Sequence, residues 1–215
     1  MVVDSDDWLT YSALNKTFEL INRLCHEHAI GTIATPIFFP AKKTQNQFST
    51  NKNPCTIGDW YISGSKFDTS MIRRVQAFRS APFPEVEGEF YMAESWQHYR
   101  ISSHYLYYLD NTHLVSAEYQ SDGLSAQSRR RRQEAPLSAM LVYFELLQHS
   151  DSLLLSIKHQ VNIGRYWWHA KIARKLAGNY FTQKVGMLSI AAGFFLYAGD
   201  TIITSNLYWR RAKFT

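Results

Sequence analysis

Residues 165 to 175 read RYWWHAKIARK and set three adjacent aromatic rings among four cationic side chains, with His169 between them. As extended chain over 165–172, Tyr166, Trp168, Ala170 and Ile172 face one way, and Arg165, Trp167, His169 and Lys171 face the other. The first set suits a core. The second suits a polyanion, because Arg and Lys neutralise phosphates and an indole offers a plane for base stacking. It also suits the solvent face of a sheet that happens to be basic. A turn into a helix near Ala173 is left open.

A second cluster is the run Arg129, Arg130, Arg131 and Arg132. Either it is solvated, or it is an arm that orders on a phosphate backbone, where guanidinium groups bond bidentately. Lys158 precedes the aromatic stretch, and Arg210 and Arg211 follow Trp209 near the C-terminus, mixing cation and ring again. Other chemistry is thin. Cys25, His26 and His28, with distant Cys55, lack the paired-cysteine spacing of a zinc site, so no metal and no cofactor is expected. His98, His104 and His113 lie in strand-like segments without a nucleophile motif beside them, which favours structural or surface roles. GxSxG, GxxxxGK[ST] and GxGxxG are absent, which disfavours serine hydrolase chemistry and nucleotide hydrolysis.

The elements that position these groups follow from periodicity. Tyr11, Leu14, Phe18, Ile21 and Cys25 recur at spacings of three and four and predict an amphipathic helix from about residue 6 to 28, capped by Ser5 or the aspartates after it. TIATPIFFPA predicts a short extended segment broken by Pro36 and Pro40, and Lys42 to Pro54 an exposed polar loop. DWYISG predicts a short strand. DTSMIRRVQAF predicts a short helix opened by Asp68 or Thr69, with Met71, Val75 and Phe78 on one side. Gly88 to Tyr119 is rich in aromatic and β-branched residues and predicts an antiparallel meander. Residues 120–136 lack apolar periodicity and predict a mobile basic loop. Leu137, Leu141, Phe144 and Leu147 predict a second helix near 137–149, followed by LLLSIK as a strand. Val185 to Gly199 is apolar but shorter than the roughly 20 residues of a membrane span, so a buried element is expected, as helix or strands.

The expected class is therefore α+β: antiparallel sheet regions, a long N-terminal helix and a second helix near 137–149. It divides into 1–120, a basic loop at 121–136 and 137–215, or forms one compact unit. With 46% hydrophobic and 19% charged residues in 215, the chain has the composition of a folded globular protein rather than a disordered one. A net charge of +5, concentrated in the second half, favours an acidic partner such as nucleic acid or an anionic membrane. Two cysteines form no disulfide framework and no secretory leader is recognised, so a cytoplasmic location without membrane attachment is expected.

Two segments carry a family resemblance. NPCTIGDWYISGSKFDTSMI, 53–72, and LSAMLVYFELL through SLLLSIKHQ, 137–160, resemble the small large-subunit proteins of type IV CRISPR effector complexes, which are mostly plasmid-borne antiviral defense systems. Many members carry a cysteine-based zinc site near the first segment, where this chain has Cys55 alone. The resemblance implies a non-catalytic, DNA- and RNA-binding subunit of a ribonucleoprotein complex. Its partners would be guide RNA, target DNA and the other effector subunits. It would read a protospacer-adjacent motif on duplex DNA and stabilise strand opening. Charge and position add Lys66, Arg73, Arg74 and Arg79, beside the first segment, to the candidate contacts. Two other classes stay open from the residues alone: a small metal-independent nuclease or RNA-processing enzyme using a histidine, and a membrane-associated protein using Val185 to Gly199.

Overall fold

The computed structural model describes residues 7–40, 47–49, 52–62, 68–118, 124–176 and 185–212. The chain is α+β and divides into two compact units, 1–83 with 97–126 and 84–96 with 127–215. In chain order the elements are β1 (Asp7–Leu9), α1 (Ala13–Leu24), β2 (Ile30–Pro36), α2 (Ile57–Ile62), β3 (Thr69–Arg73), α3 (Val75–Arg79), α4 (Ser95–Ser102), β4 (Leu106–Leu109) and β5 (Val115–Ala117). They continue as α5 (Leu124–Glu134), α6 (Pro136–Gln148), α7 (Leu153–Ile172) and α8 (Met187–Ala212).

In the first unit β2 lies between β3, which runs antiparallel to it, and β4, which runs parallel, while β1 pairs antiparallel with β5. Every residue of β2 is buried, as befits a central strand. Ala13, Leu20 and Leu24 of α1 close the core against Ile30, Ile33, Ile72, Leu114 and Val115. The row expected to be buried, Tyr11, Leu14, Phe18 and Ile21, is exposed instead, as is Cys25. Both rows keep helical spacing and sit about 100° apart around the axis, so periodicity alone does not choose between them. The helix is also shorter than 6–28, because β1 occupies the start of that span; the proposed cap Ser5 lies outside the described residues.

Several local expectations are corrected. DWYISG falls mainly in α2, whose start is fixed by a reciprocal cap. The Thr56 amide donates to Asp59 Oδ2 at 3.0 Å, and the Asp59 amide donates to Thr56 Oγ1 at 3.1 Å. Thr69–Arg73 is a strand and only Val75–Arg79 is helical, since the β2 edge recruits the first part into its ladder. The expected meander is interrupted by α4, and β4 pairs parallel with β2 rather than with a sequence neighbour.

The second unit is a helical assembly. Its core is Leu137, Ala139 and Met140 of α6 with Ile163, Tyr166 and Ala170 of α7. The strap 84–96 is tied down by Glu89, whose carboxylate accepts the free amides of Leu137 (3.0 Å) and Ser138 (2.7 Å) in the first turn of α6. Ser152 caps α7, its Oγ accepting the Leu155 amide at 3.2 Å. The basic loop expected at 121–136 is helix α5 over most of its length, and the strands expected at LLLSIK and 165–172 belong to the single helix α7. Val185 to Gly199 supplies the first half of α8 and is not uniformly buried: Gly193 is enclosed, but Met187, Leu188 and Phe195 are exposed. Among the described residues no helix is long and apolar enough to cross a membrane.

Helices α7 and α8 cross backbone to backbone. A Cβ on Gly164 would overlap the Ser189 carbonyl, and one on Gly193 would overlap the backbone of Gly164 and Arg165. Only glycine at both places allows this approach.

Candidate functional site

Helical periodicity, rather than alternation, sorts the aromatic and basic stretch. Tyr166 and Ala170 turn into the core with Ile163, at spacings of three and four. Arg165 and His169, one turn apart, turn toward α8 and meet Asp200. Ile172, expected inside, is exposed.

Asp200 is the centre of the cluster, with a side chain that is 0% exposed. Arg165 Nε donates to its Oδ2 at 2.6 Å and Arg165 Nη2 to its Oδ1. Arg129 Nη2 reaches Oδ1 from α5 at 2.7 Å, and His169 Nε2 meets Oδ2 at 2.9 Å. Burial alone would raise the Asp200 carboxyl, but the hydrogen bonds from His169, Arg165 and Arg129 outweigh it and hold the group well below the usual carboxylate range. The group is therefore an anion at neutral pH. An ionised carboxylate only accepts, so His169 Nε2 carries its hydrogen toward Asp200 and, in the neutral ring, Nδ1 holds the lone pair.

The imidazole is fixed on other sides too. Its ring meets Tyr197 edge-on at 4.8 Å and lies 5.9 Å from Tyr166. His169 and Asp200 border a cavity of about 420 Å³, completed by Gln133, Ile172, Ala173, Tyr197 and Thr201. That volume lies in the range of small-molecule sites, on the order of 300–1,000 Å³. Arg129, half exposed, gives the cluster a cationic edge. An oriented imidazole beside guanidinium groups has the chemistry of proton transfer next to an anion.

The other expected contacts separate into engaged and open groups. Arg73 donates to Gln97 Oε1 at 2.7 Å. Arg74 collars the end of α1, donating to the carbonyls of Leu24, Cys25, Glu27 and Ile30, so its guanidinium stabilises a helix C-terminus. Arg79 is exposed at the end of α3. These three belong to the first unit, and Lys66 lies outside the described residues. In the second unit Arg130 pairs with Glu134 at 2.7 Å, Arg131 and Arg132 are half-buried, and Lys158 is exposed. Lys171 is exposed and lies over both Trp167, at 5.0 Å, and Trp168, at 4.9 Å. That sandwich limits Trp167 as an open stacking platform. Trp168 is anchored through Nε1 to the Ile190 carbonyl at 2.9 Å. The side chains of Arg210 and Arg211 lie outside the described residues.

Sequence reasoning missed Asp200, Tyr197 and the strap carboxylate Glu89. The available signal for Asp200 was an isolated acid interrupting an apolar run, which must find cationic partners if buried. The charge distribution adds a further fact. The first unit holds ten Lys and Arg and ten Asp and Glu, whereas the second holds thirteen and eight, so the whole net charge of +5 resides in the second unit. No family model matches the chain, and neither a curated protein nor a solved structure shows significant similarity to it.

Proposed function

We propose that the chain binds nucleic acid, with the second unit presenting the polyanion-binding surface. The observation that carries this is the placement of all five net positive charges in the unit of 84–96 and 127–215, while the first unit is neutral. Excess charge confined to one unit attracts phosphate backbones and dominates their affinity. Of the contacts expected from the sequence, Lys158 and Lys171 are exposed and Arg131 half-buried, whereas Arg165 and the Asp200-directed edge of Arg129 are internal to the cluster.

Membership of an RNA-guided effector complex is the finer form of the proposal. It draws its support from the resemblance of 53–72 and 137–160, and co-purification with a guide RNA and backbone subunits is its test.

The coarser reading is tested with the full chain and labelled single-stranded RNA and duplex DNA. The affinity falls linearly with salt on a double-logarithmic plot, each phosphate contact contributing a slope of about −0.7 to −0.9. The double variant Lys158→Glu, Arg131→Glu weakens both ligands, and Arg79→Glu in the neutral unit changes neither by more than about twofold. Salt-insensitive binding, or an Arg79→Glu variant as weak as the double variant, overturns the assignment.

A further inference from the structure

The geometry points to His169 as a catalytic base that cleaves RNA phosphodiesters at the cavity bordered by α5, α7 and α8. The inference rests on the nucleic-acid reading above and gives the second unit a substrate class and a reaction.

Three observations lead there. First, the buried, ionised Asp200 accepts from His169 Nε2 at 2.9 Å, and among the described residues no partner engages Nδ1, which in the neutral ring carries the lone pair. Asp200 is then a positioning residue, and both its oxygens are occupied by Arg129, Arg165 and His169, so its task is orientation. Second, among the described residues the groups that meet around Asp200 carry a net positive charge. Two guanidinium groups face one carboxylate, and the second of them, Arg129, has a half-exposed side chain. Arg129 does not itself line the cavity, but its charge is held on the same carboxylate as His169, and the positive field of the cluster favours an anionic phosphodiester. Third, the remaining walls join hydrogen-bonding groups on Gln133, Tyr197 and Thr201 to apolar Ile172 and Ala173 around about 420 Å³, a volume in the small-molecule range.

Proton transfer by one oriented base suffices when the nucleophile is already next to the phosphate, as the ribose 2′-hydroxyl is. His169 Nδ1 takes the 2′-hydroxyl proton, and the 2′-oxygen forms a bond to phosphorus. The bond from phosphorus to the 5′-oxygen breaks, and that oxygen leaves with the electron pair and takes a proton from water. The products are a 2′,3′-cyclic phosphate and a 5′-hydroxyl end, and the imidazolium returns its proton to solvent. No oxidant or further reactant enters. DNA, lacking the 2′-hydroxyl, is bound without being cut.

The test uses the full chain with excess chelator and three end-labelled oligonucleotides of one sequence: RNA, 2′-O-methyl RNA and DNA. Binding is read by anisotropy and cleavage on a denaturing gel. The expected result is binding of all three and cleavage of RNA alone, leaving cyclic phosphate ends. His169→Gln lowers the rate by about 100-fold or more while the variant still binds the uncut DNA and 2′-O-methyl RNA. RNA that is bound but left intact overturns the inference and leaves the binding reading standing; failure to bind any of the three overturns both. Cleavage by His169→Gln at the parent's rate also overturns it. If that variant does not fold, the parent's own products decide, since 3′-hydroxyl ends or cutting of the 2′-O-methyl RNA are incompatible with the proposed step.

Discussion

Replacing Asp200 with Asn keeps the shape of the side chain and removes its charge. The effect on stability follows from who is left behind. Asp200 is fully enclosed, and Arg165 and His169 are nearly so, with side chains 15% and 12% exposed, whereas Arg129 is 50% exposed. Removing one member of a buried ion pair leaves an uncompensated, partly desolvated cation and costs about 3–5 kcal/mol. Arg129, in contact with water, reorients at little loss, so Arg129→Gln costs at most about 1 kcal/mol. Urea unfolding of the parent, both single variants and Arg165→Gln supplies the comparison. A double-mutant cycle is expected to give a larger coupling for Arg165 with Asp200 than for Arg129 with Asp200. The pH dependence adds a second reading. The folded Asp200 carboxyl titrates below its unfolded value near 3.9, so its contribution is present in full above about pH 5 and is lost as pH falls through the folded value. The difference between parent and Asp200→Asn therefore narrows as pH falls below about 5. A loss under about 1 kcal/mol for Asp200→Asn, or equal losses for Asp200→Asn and Arg129→Gln, would refute this account of the cluster.

Three further outcomes follow. Gly164→Ala, by forcing the α7 and α8 backbones apart, destabilises the chain by about 1–3 kcal/mol or more despite alanine's better helix propensity, and denaturant titration checks it. His98 is buried, and burial followed by the charge of Arg73 pushes its imidazole down to about 3, so the unfolded chain takes up a proton there that the folded chain refuses. Stability then drops between about pH 6.5 and 3 by up to about 1.4 kcal/mol per unit, and His98→Gln lessens that slope by one proton in a pH series of urea midpoints. Burial first and the charge of Asp59 second push the Cys55 thiol up to about 11, and Cys25 is exposed. A thiol reagent at neutral pH accordingly labels Cys25 quickly and Cys55 only when the chain is unfolded, as peptide mapping would show.

How much of this was legible depended on the length over which a pattern could be read. Thirteen residues of α6 carry Leu137, Leu141, Phe144 and Leu147 at helical spacing, and no other period accommodates them. Over the eight residues 165–172 the strand and helix periods both fit. Extending the window back to Ile163 would have separated them, because Ile163, Tyr166 and Ala170 share the core stripe. The arginine run of α5 offered no apolar marker, although Arg is itself a good helix former. In α2 the marker was present and overlooked: Thr56 and Asp59 stand three apart, the spacing of a reciprocal cap. The pairing of β2 with β4 joins residues about seventy-five apart, such as Ala34 and Leu109, and local pattern carries no information at that range. The candidate site was half visible. Arg165 and His169 were named for their types, but their common target, Asp200, lies thirty-one residues beyond His169 on another helix, and only tertiary packing unites them.

The bare crossing at Gly164 and Gly193 makes α7 and α8 mechanically one body beside Arg165 and about two turns from Asp200. Side chains hop between rotamers; peptide planes pressed together do not. The gap between imidazole and carboxylate is thus set by main-chain contact, one to two turns away, and is insulated from substitutions that loosen the α6 side of the core. An engineer could vary Leu137 or Met140 to tune stability and leave the acid–base geometry in register, whereas a single methyl group at the crossing would detune it without touching either residue.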